Sequence, residues 1–213
     1  MWHLWKARNE FIFQHGNFSP YKIVRLAATY AMDMRLQNNM FLTLNVDPVN
    51  GHWSRPPPGY VKLNVDGSYR DGCGTYGGIL RDEDGNWVWG FSGKCNDSSP
   101  LHAELMGLRE GLQALKDRGI LRALVETDSS LAVNLVLGYP DESHPLLDLI
   151  LECKCIHKNI WSASIMYISR NYNYSAHILA SLGHHQARQE GTSWFVSPPA
   201  QVVESVSRDN LVV

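Results

Sequence analysis

The sequence predicts an α/β fold in which an antiparallel meander of three strands is joined through a helical crossover to parallel strands. Three observations predict it. Val61, Leu63 and Val65 alternate with Lys62, Asn64 and Asp66, the period-two pattern of a half-buried strand. Two glycine-bounded strands follow closely, GGILRD and the run after the turn in DGNWVWGFSG. A leucine-striped segment, LHAELMGLREGLQALKDRG, then leads to the short apolar run ALVET, and a parallel strand needs such a crossover.

The chain enters this pattern through two segments at residues 1–44 that read as helical. WHLWKARNEFIF sets Trp2, Trp5, Phe11 and Phe13 among charges, and YKIVRLAATYAMDMRLQNN places Ile23, Leu26, Ala27 and Tyr30 at helical spacing. The run at 45–59, NVDPVNGHWSRPPPG, cannot continue a helix because three consecutive prolines favour extended chain. It is expected to be a linker, with one globular domain at 60–190.

Within that domain Gly72, Gly74, Gly77 and Gly78 surround the second strand. Pro100 opens the crossover helix, whose Leu101, Leu105, Leu108, Leu112 and Leu115 share one face, and Gly119 stops it. SSLAVNLVLG and HPLLDLILECKCIHKNI read as two further helices, SASIMYIS as a strand and SAHILASLGHHQAR as a last helix. Residues 191–213, with Pro198, Pro199 and mixed small residues, are expected to form a mobile tail.

Composition bounds the function. At 213 residues, 44% hydrophobic and 19% charged, the chain suffices for one medium-sized domain with appendages. A formal charge of −2 supplies no global basic field, so nucleic-acid binding must rest on a local patch. Cys73, Cys95, Cys153 and Cys155 are scattered without a preceding secretory pattern. The expectation is therefore reduced thiols in an intracellular protein, the nucleus included among candidate compartments. No run approaches the ~18 apolar residues of a membrane span.

Three acids fall at informative places. Asp66 lies where the first strand stops, followed by Gly67; Asp128 ends the strand expected beside it; Glu104 sits in the first turn of the crossover helix. Converging carboxylates repel one another and call for a cation, and hard oxygen donors suit Mg²⁺ or Mn²⁺. The alternative is three unrelated acids, since Asp is common at strand ends and Glu near a helix N-terminus.

KLNVDGS, GTYGGILRDEDGNWVWGFSG, AELMGLREGL, VETDS and RNYNYSAHILASLG resemble, in order, the segments of the ribonuclease H type 1 domain of plant non-LTR retrotransposon polyproteins. The resemblance covers roughly residues 60–187, and WHLWKARNEFIF resembles the stretch preceding that domain, so residues 1–44 read as a remnant of the upstream region. It implies a ribonuclease H-like fold, a five-stranded mixed sheet flanked by helices, and cleavage of the RNA strand of RNA–DNA hybrids with two divalent ions. Asp66, Glu104 and Asp128 correspond to metal ligands.

One position departs. The family pattern in the last helix has an aspartate where this chain, which matches at Arg170, Asn173, Ala176, Leu179 and Ala180, has His177. Neutral imidazole carries no negative charge and is a poorer partner for Mg²⁺ than carboxylate oxygen, so the implied catalysis is weakened. Asp141, Glu142 or Asp148 reaching in, or Mn²⁺ replacing Mg²⁺, would restore part of it; a solvent-facing His177 is the plain alternative.

The resemblance implies recognition of the 2′-hydroxyl, for which Gly67, Ser68, Asn171 and Asn173 are candidate contacts, with turn and cap roles as the alternative; Arg170 and Lys94 are candidate phosphate contacts, with solvated surface as the alternative. Cys153, Cys155 and His157 lack a second zinc-ligand pair, so Cys153 is assigned to the core. His184 and His185 suit a helix C-terminus, and of Trp87 and Trp89 one should pack inside. Three functions remain open: a weakened hybrid nuclease, a non-catalytic module binding hybrid or RNA, and a retroelement remnant without activity. Oligomeric state is not legible.

Overall fold

The computed structural model describes residues 53–95, 99–186 and 191–210; the helical segments expected at 1–44 lie outside them. The strands are β1 Val61–Arg70, β2 Cys73–Arg81, β3 Trp87–Cys95, β4 Arg122–Thr127, β5 Ser162–Tyr167 and β6 Thr192–Phe195. The helices are α1 Pro100–Asp117, α2 Ser130–Leu137, α3 Leu147–Lys158, α4 Tyr174–Leu182 and α5 Ala200–Asn210, with short 3₁₀ turns at Arg170–Tyr172 and Gly183–His185.

The strands form one mixed sheet in the order β5-β4-β1-β2-β3-β6. β1, β2, β3 and β6 pair antiparallel, while β4 lies parallel to β1 and β5 parallel to β4. The sheet therefore has six strands where five were expected. The sixth belongs to the segment expected as a tail: Thr192–Phe195 pairs with β3, and α5 buries Val202 and Val206 against Ile79, Ala176 and Leu179. Pro198 and Pro199 punctuate the change from strand to helix, and Val202 and Val206, four residues apart, supply the buried stripe.

The alternation in β1 directs its two faces to two different environments. Leu63 and Val65 enter the main core with Leu105, Leu108, Leu112 and Leu115 of α1 and Ile150 and Cys153 of α3. The Ser99 hydroxyl caps α1 by accepting from the His102 N–H at 3.1 Å, satisfying an orphan donor of the first turn.

Lys62, Asn64 and Asp66 face the other way, yet they are only 1%, 0% and 2% exposed. The half-buried strand expected from the alternation is covered on both faces. Lys62 pairs with Glu126 at 2.8 Å, Asn64 donates to Glu126 at 2.8 Å, and Arg81 donates to Asn64 and to Asp209, both at 2.7 Å. Trp53 closes this polar layer, donating from Nε1 to Asn64 at 3.0 Å and lying 3.4 Å from the Arg81 guanidinium. The domain thus includes the last residues of the run expected to be a linker. No described helix is long and apolar enough to cross a membrane.

Candidate metal centre

Parallel pairing of β1 with β4 aligns Val65 with Thr127, so Asp66 lies beside Asp128, the residue after the end of β4. The first strand does not stop at Asp66 as expected but runs on to Arg70, because its antiparallel pairing with β2 continues past the end of β4. Glu104 arrives from α1, one turn in from the helix start at Pro100. It can approach because β1 has no side chain at Gly67: a Cβ there would sit 2.3 Å from the Glu104 backbone nitrogen. Gly77 allows the matching approach of α4 from the opposite face, where a Cβ would lie 2.4 Å from the Ala180 nitrogen.

One ligand atom from each of Asp66, Glu104 and Asp128 lies within 4.8 Å of the others. Each acid is held by a specific partner. The Gly67 N–H donates to Glu104 Oε2 at 3.0 Å. The Asn173 amide donates to Asp128 Oδ1 at 3.2 Å and to the Val65 carbonyl at 2.8 Å. His177 Nδ1 stands 2.8 Å from Asp66 Oδ2, and Arg170 Nε lies 4.0 Å from Asp128 Oδ2.

Electrostatics mark the cluster as short of positive charge. Burial, reinforced by Asp128 against the lowering effect of the His177 hydrogen bond, pushes the Asp66 carboxyl up to about 6. Burial and the charges of Asp66 and Asp128 push Glu104 up to about 9. Three close carboxylate oxygens form a hard donor set that fits a divalent cation; Asp66, Glu104 and Asp128 could hold it.

The other sequence candidates divide. His177 joins the cluster, its side chain only 29% exposed, so it is not the solvent-facing residue of the plain alternative. Asn173 is buried and acts as a strut between β1, β4 and α4, not as a surface contact. Ser68 is engaged by His184, whose Nε2 lies 3.1 Å from both the Ser68 and Thr75 hydroxyls. Arg170 is 71% exposed beside the cluster and Asn171 is exposed, whereas Lys94 is tied to the Gln186 carbonyl.

Asp141 caps Ser143 in an exposed loop, and neither it, Glu142 nor Asp148 belongs to the acidic group. Cys153 is buried in the core and Cys155 exposed. Trp89 is buried, while the partly buried Trp87 packs on the α4–α5 cluster.

Residues 64–183 match the family described as reverse transcriptase-like. An Arabidopsis thaliana protein provisionally named a ribonuclease H protein is 35% identical over 141 residues, 62% of this chain but only 23% of that relative's length. The N-terminal ribonuclease H domain of a Mycobacterium tuberculosis protein superposes with a TM-score of 0.55 at 25% identity, covering 59% of this chain and 94% of that one. Ribonuclease H1 of Halobacterium salinarum gives 0.56 at 24% identity, with 61% and 100% coverage. A compost-derived ribonuclease H1 solved with an RNA/DNA hybrid gives 0.52 at 22% identity, with 57% and 94% coverage.

Proposed function

The chain belongs to the reverse transcriptase-like family and carries a ribonuclease H domain, and from that premise we propose that it binds RNA–DNA hybrids and cleaves their RNA strand slowly. The observation that carries this reading is the convergence of Asp66, Glu104 and Asp128 within 4.8 Å. These three would hold Mg²⁺ or Mn²⁺, with two ions the expected complement.

A divalent ion supplies Lewis-acid stabilisation of the phosphoryl group and activates water. The chain's own residues prepare the place. Asp66, Glu104 and Asp128 bring three carboxyl groups to one place, Asp66 buried and the other two partly so; the Gly67 N–H and the Asn173 amide orient Glu104 and Asp128. Arg170, exposed beside Asp128, would take a phosphate of the bound strand, and Gly67 lets α1 bring Glu104 close against β1.

His177 makes the reaction slow. It contributes no negative charge where the family pattern has a carboxylate, and its Nδ1 engages one oxygen of Asp66. A loss of ~3 to 4 kcal/mol in transition-state stabilisation would slow turnover roughly 10²- to 10³-fold. The same contact favours the second reading, a module that grips hybrid or RNA without cutting it, because Asp66 has a standing partner other than a metal ion. We further propose descent from a plant retroelement polyprotein, a reading supported by the family match and the Arabidopsis relative.

The deciding experiment is cleavage of a fluorescent RNA–DNA hybrid by the wild type and by His177→Asp, in Mg²⁺ and in Mn²⁺. Slow wild-type cleavage, faster in Mn²⁺ and raised roughly 10²-fold or more by the substitution, is expected. Hybrid binding with no cleavage by either form supports the binding module, and neither binding nor cleavage defeats both readings.

A further inference from the structure

We propose that a basic, aromatic cavity beside the carboxylates is a subsite for one unpaired nucleotide of single-stranded nucleic acid continuing beyond a bound hybrid. This rests on the hybrid-binding reading above and adds a strand, a place and an element to it.

The cavity, of about 560 Å³, is lined by Trp53, Arg170, Tyr172, Tyr174, His177 and Arg208, among others. His177 belongs to both sites: its imidazole meets Asp66 and also forms part of the cavity wall. A strand lying across Asp66 therefore has a direct continuation into it.

The side chains match the two chemistries of a nucleotide. Tyr174 is 46% exposed, and the Arg208 guanidinium lies 5.2 Å from its ring centroid, so one ring offers a π-face for a base while the neighbouring cation meets the phosphate. Arg208 forms no ion pair among the described residues. Asp209, next along α5, also lines the cavity, but its carboxylate is paired with Arg81 at 2.7 Å. Arg170 brings a second cation from a different element.

Trp53, 4% exposed and stacked on Arg81, makes a fixed wall and not a stacking surface. An open recess that brings aromatic and cationic groups together suits a base turned out of the stack, whose face can reach the exposed Tyr174 ring, better than one held in a pair. The site depends on α5 and on the run before β1, the two segments that read in sequence as a tail and a linker.

The test uses the full chain in Ca²⁺, to suppress cleavage, and fluorescence anisotropy with a blunt RNA–DNA hybrid, hybrids bearing a short RNA or DNA overhang, and a single-stranded oligonucleotide. An overhang should tighten wild-type binding about tenfold, and the RNA and DNA arms identify which strand enters. Arg208→Ala and Tyr174→Ala should each remove that gain and leave blunt-hybrid affinity unchanged, Arg208→Lys should retain most of it, and Arg208→Ala should reduce the salt slope by ~0.7.

Blunt hybrid binding with no overhang gain, or a gain that survives both alanine variants, overturns the subsite and leaves the hybrid reading standing. Single strands bound through Arg208 and Tyr174 without any affinity for blunt hybrid would retain the subsite and sink the hybrid reading.

Discussion

His177 Nδ1 lies 2.8 Å from Asp66 Oδ2. This hydrogen bond occupies one oxygen of the most buried acid in the cluster, and it stands where a fourth carboxylate would have strengthened a cation site. Replacing His177 by aspartate exchanges a stabilising partner for a repelling one. In chelator, His177→Asp should lower the melting temperature, with a loss of about 1 to 2 kcal/mol; saturating Mg²⁺ should then raise it more than it raises the wild type. Calorimetry with and without the ion checks both directions, and an equal Mg²⁺ response in the two proteins would count against a cation at this place.

The raised carboxyls make the metal-free protein sensitive to pH. Asp66 moves from 3.8 to about 6 and Glu104 from 4.5 to about 9, so the native state keeps protons that the unfolded chain releases. Their contribution is fully present below roughly pH 4 and is lost as pH rises through those folded values, first Asp66 and then Glu104. Melting temperature in chelator should fall from pH 5 to pH 9 and flatten when Mg²⁺ favours the ionised forms. Glu104→Gln should stabilise the metal-free protein at pH 8 by at least ~1 kcal/mol; a curve that rises across this range would refute the charge assignment.

Gly67→Ala tests how the cluster is assembled. The added methyl would meet the Glu104 nitrogen at 2.3 Å and the Ala103 carbonyl carbon at 2.6 Å, both backbone atoms that cannot turn aside. α1 must move from β1, costing about 1 to 3 kcal/mol and carrying Glu104 away from Asp66. Denaturant titration should show the loss of stability, and Mg²⁺-dependent stabilisation should disappear. Retention of both would mean that the close approach is dispensable.

The C-terminal helix should be required for stability. Arg81 is wholly buried, and its ion pair with Asp209 at 2.7 Å is joined by Ser175, which donates to the same carboxylate at 3.1 Å. Asp209→Ala leaves a buried guanidinium with one partner fewer and should cost about 3 kcal/mol or more, measured by urea unfolding. Arg81→Met together with Asp209→Ala should recover part of it, because both charges then go. A double variant as unstable as the single one would argue against the ion pair as the cause.

Much of this architecture was legible in the residues. The leucine face of α1, the glycine-bounded hairpins and the apolar run of β4 carry their own periodicity, and Asp66, Glu104 and Asp128 stood out because each sits in or next to a patterned element, although β1 runs on past Asp66 to Arg70. The second face of β1 did not. Lys62 and Asn64 alternate as solvent-facing residues do, and only Glu126, Arg81 and Trp53, brought from distant parts of the chain, turn that face into a buried polar layer. Asn173 was visible as a motif residue but not as the strut beneath Asp128, and nothing local identified Arg81 or Asp209.

By itself the sequence determined the element order from β1 to α4, the strand-to-crossover logic and the acids carried by those elements, because hydrophobic period and turn chemistry are local properties. Only the tertiary structure decided that β6 and α5 complete the domain, that His177 reaches Asp66, and that a basic cavity opens beside the acids. Those outcomes depend on which buried polar groups find partners across the fold, and a buried charge or amide is satisfied by what packs against it, not by its neighbours in the chain.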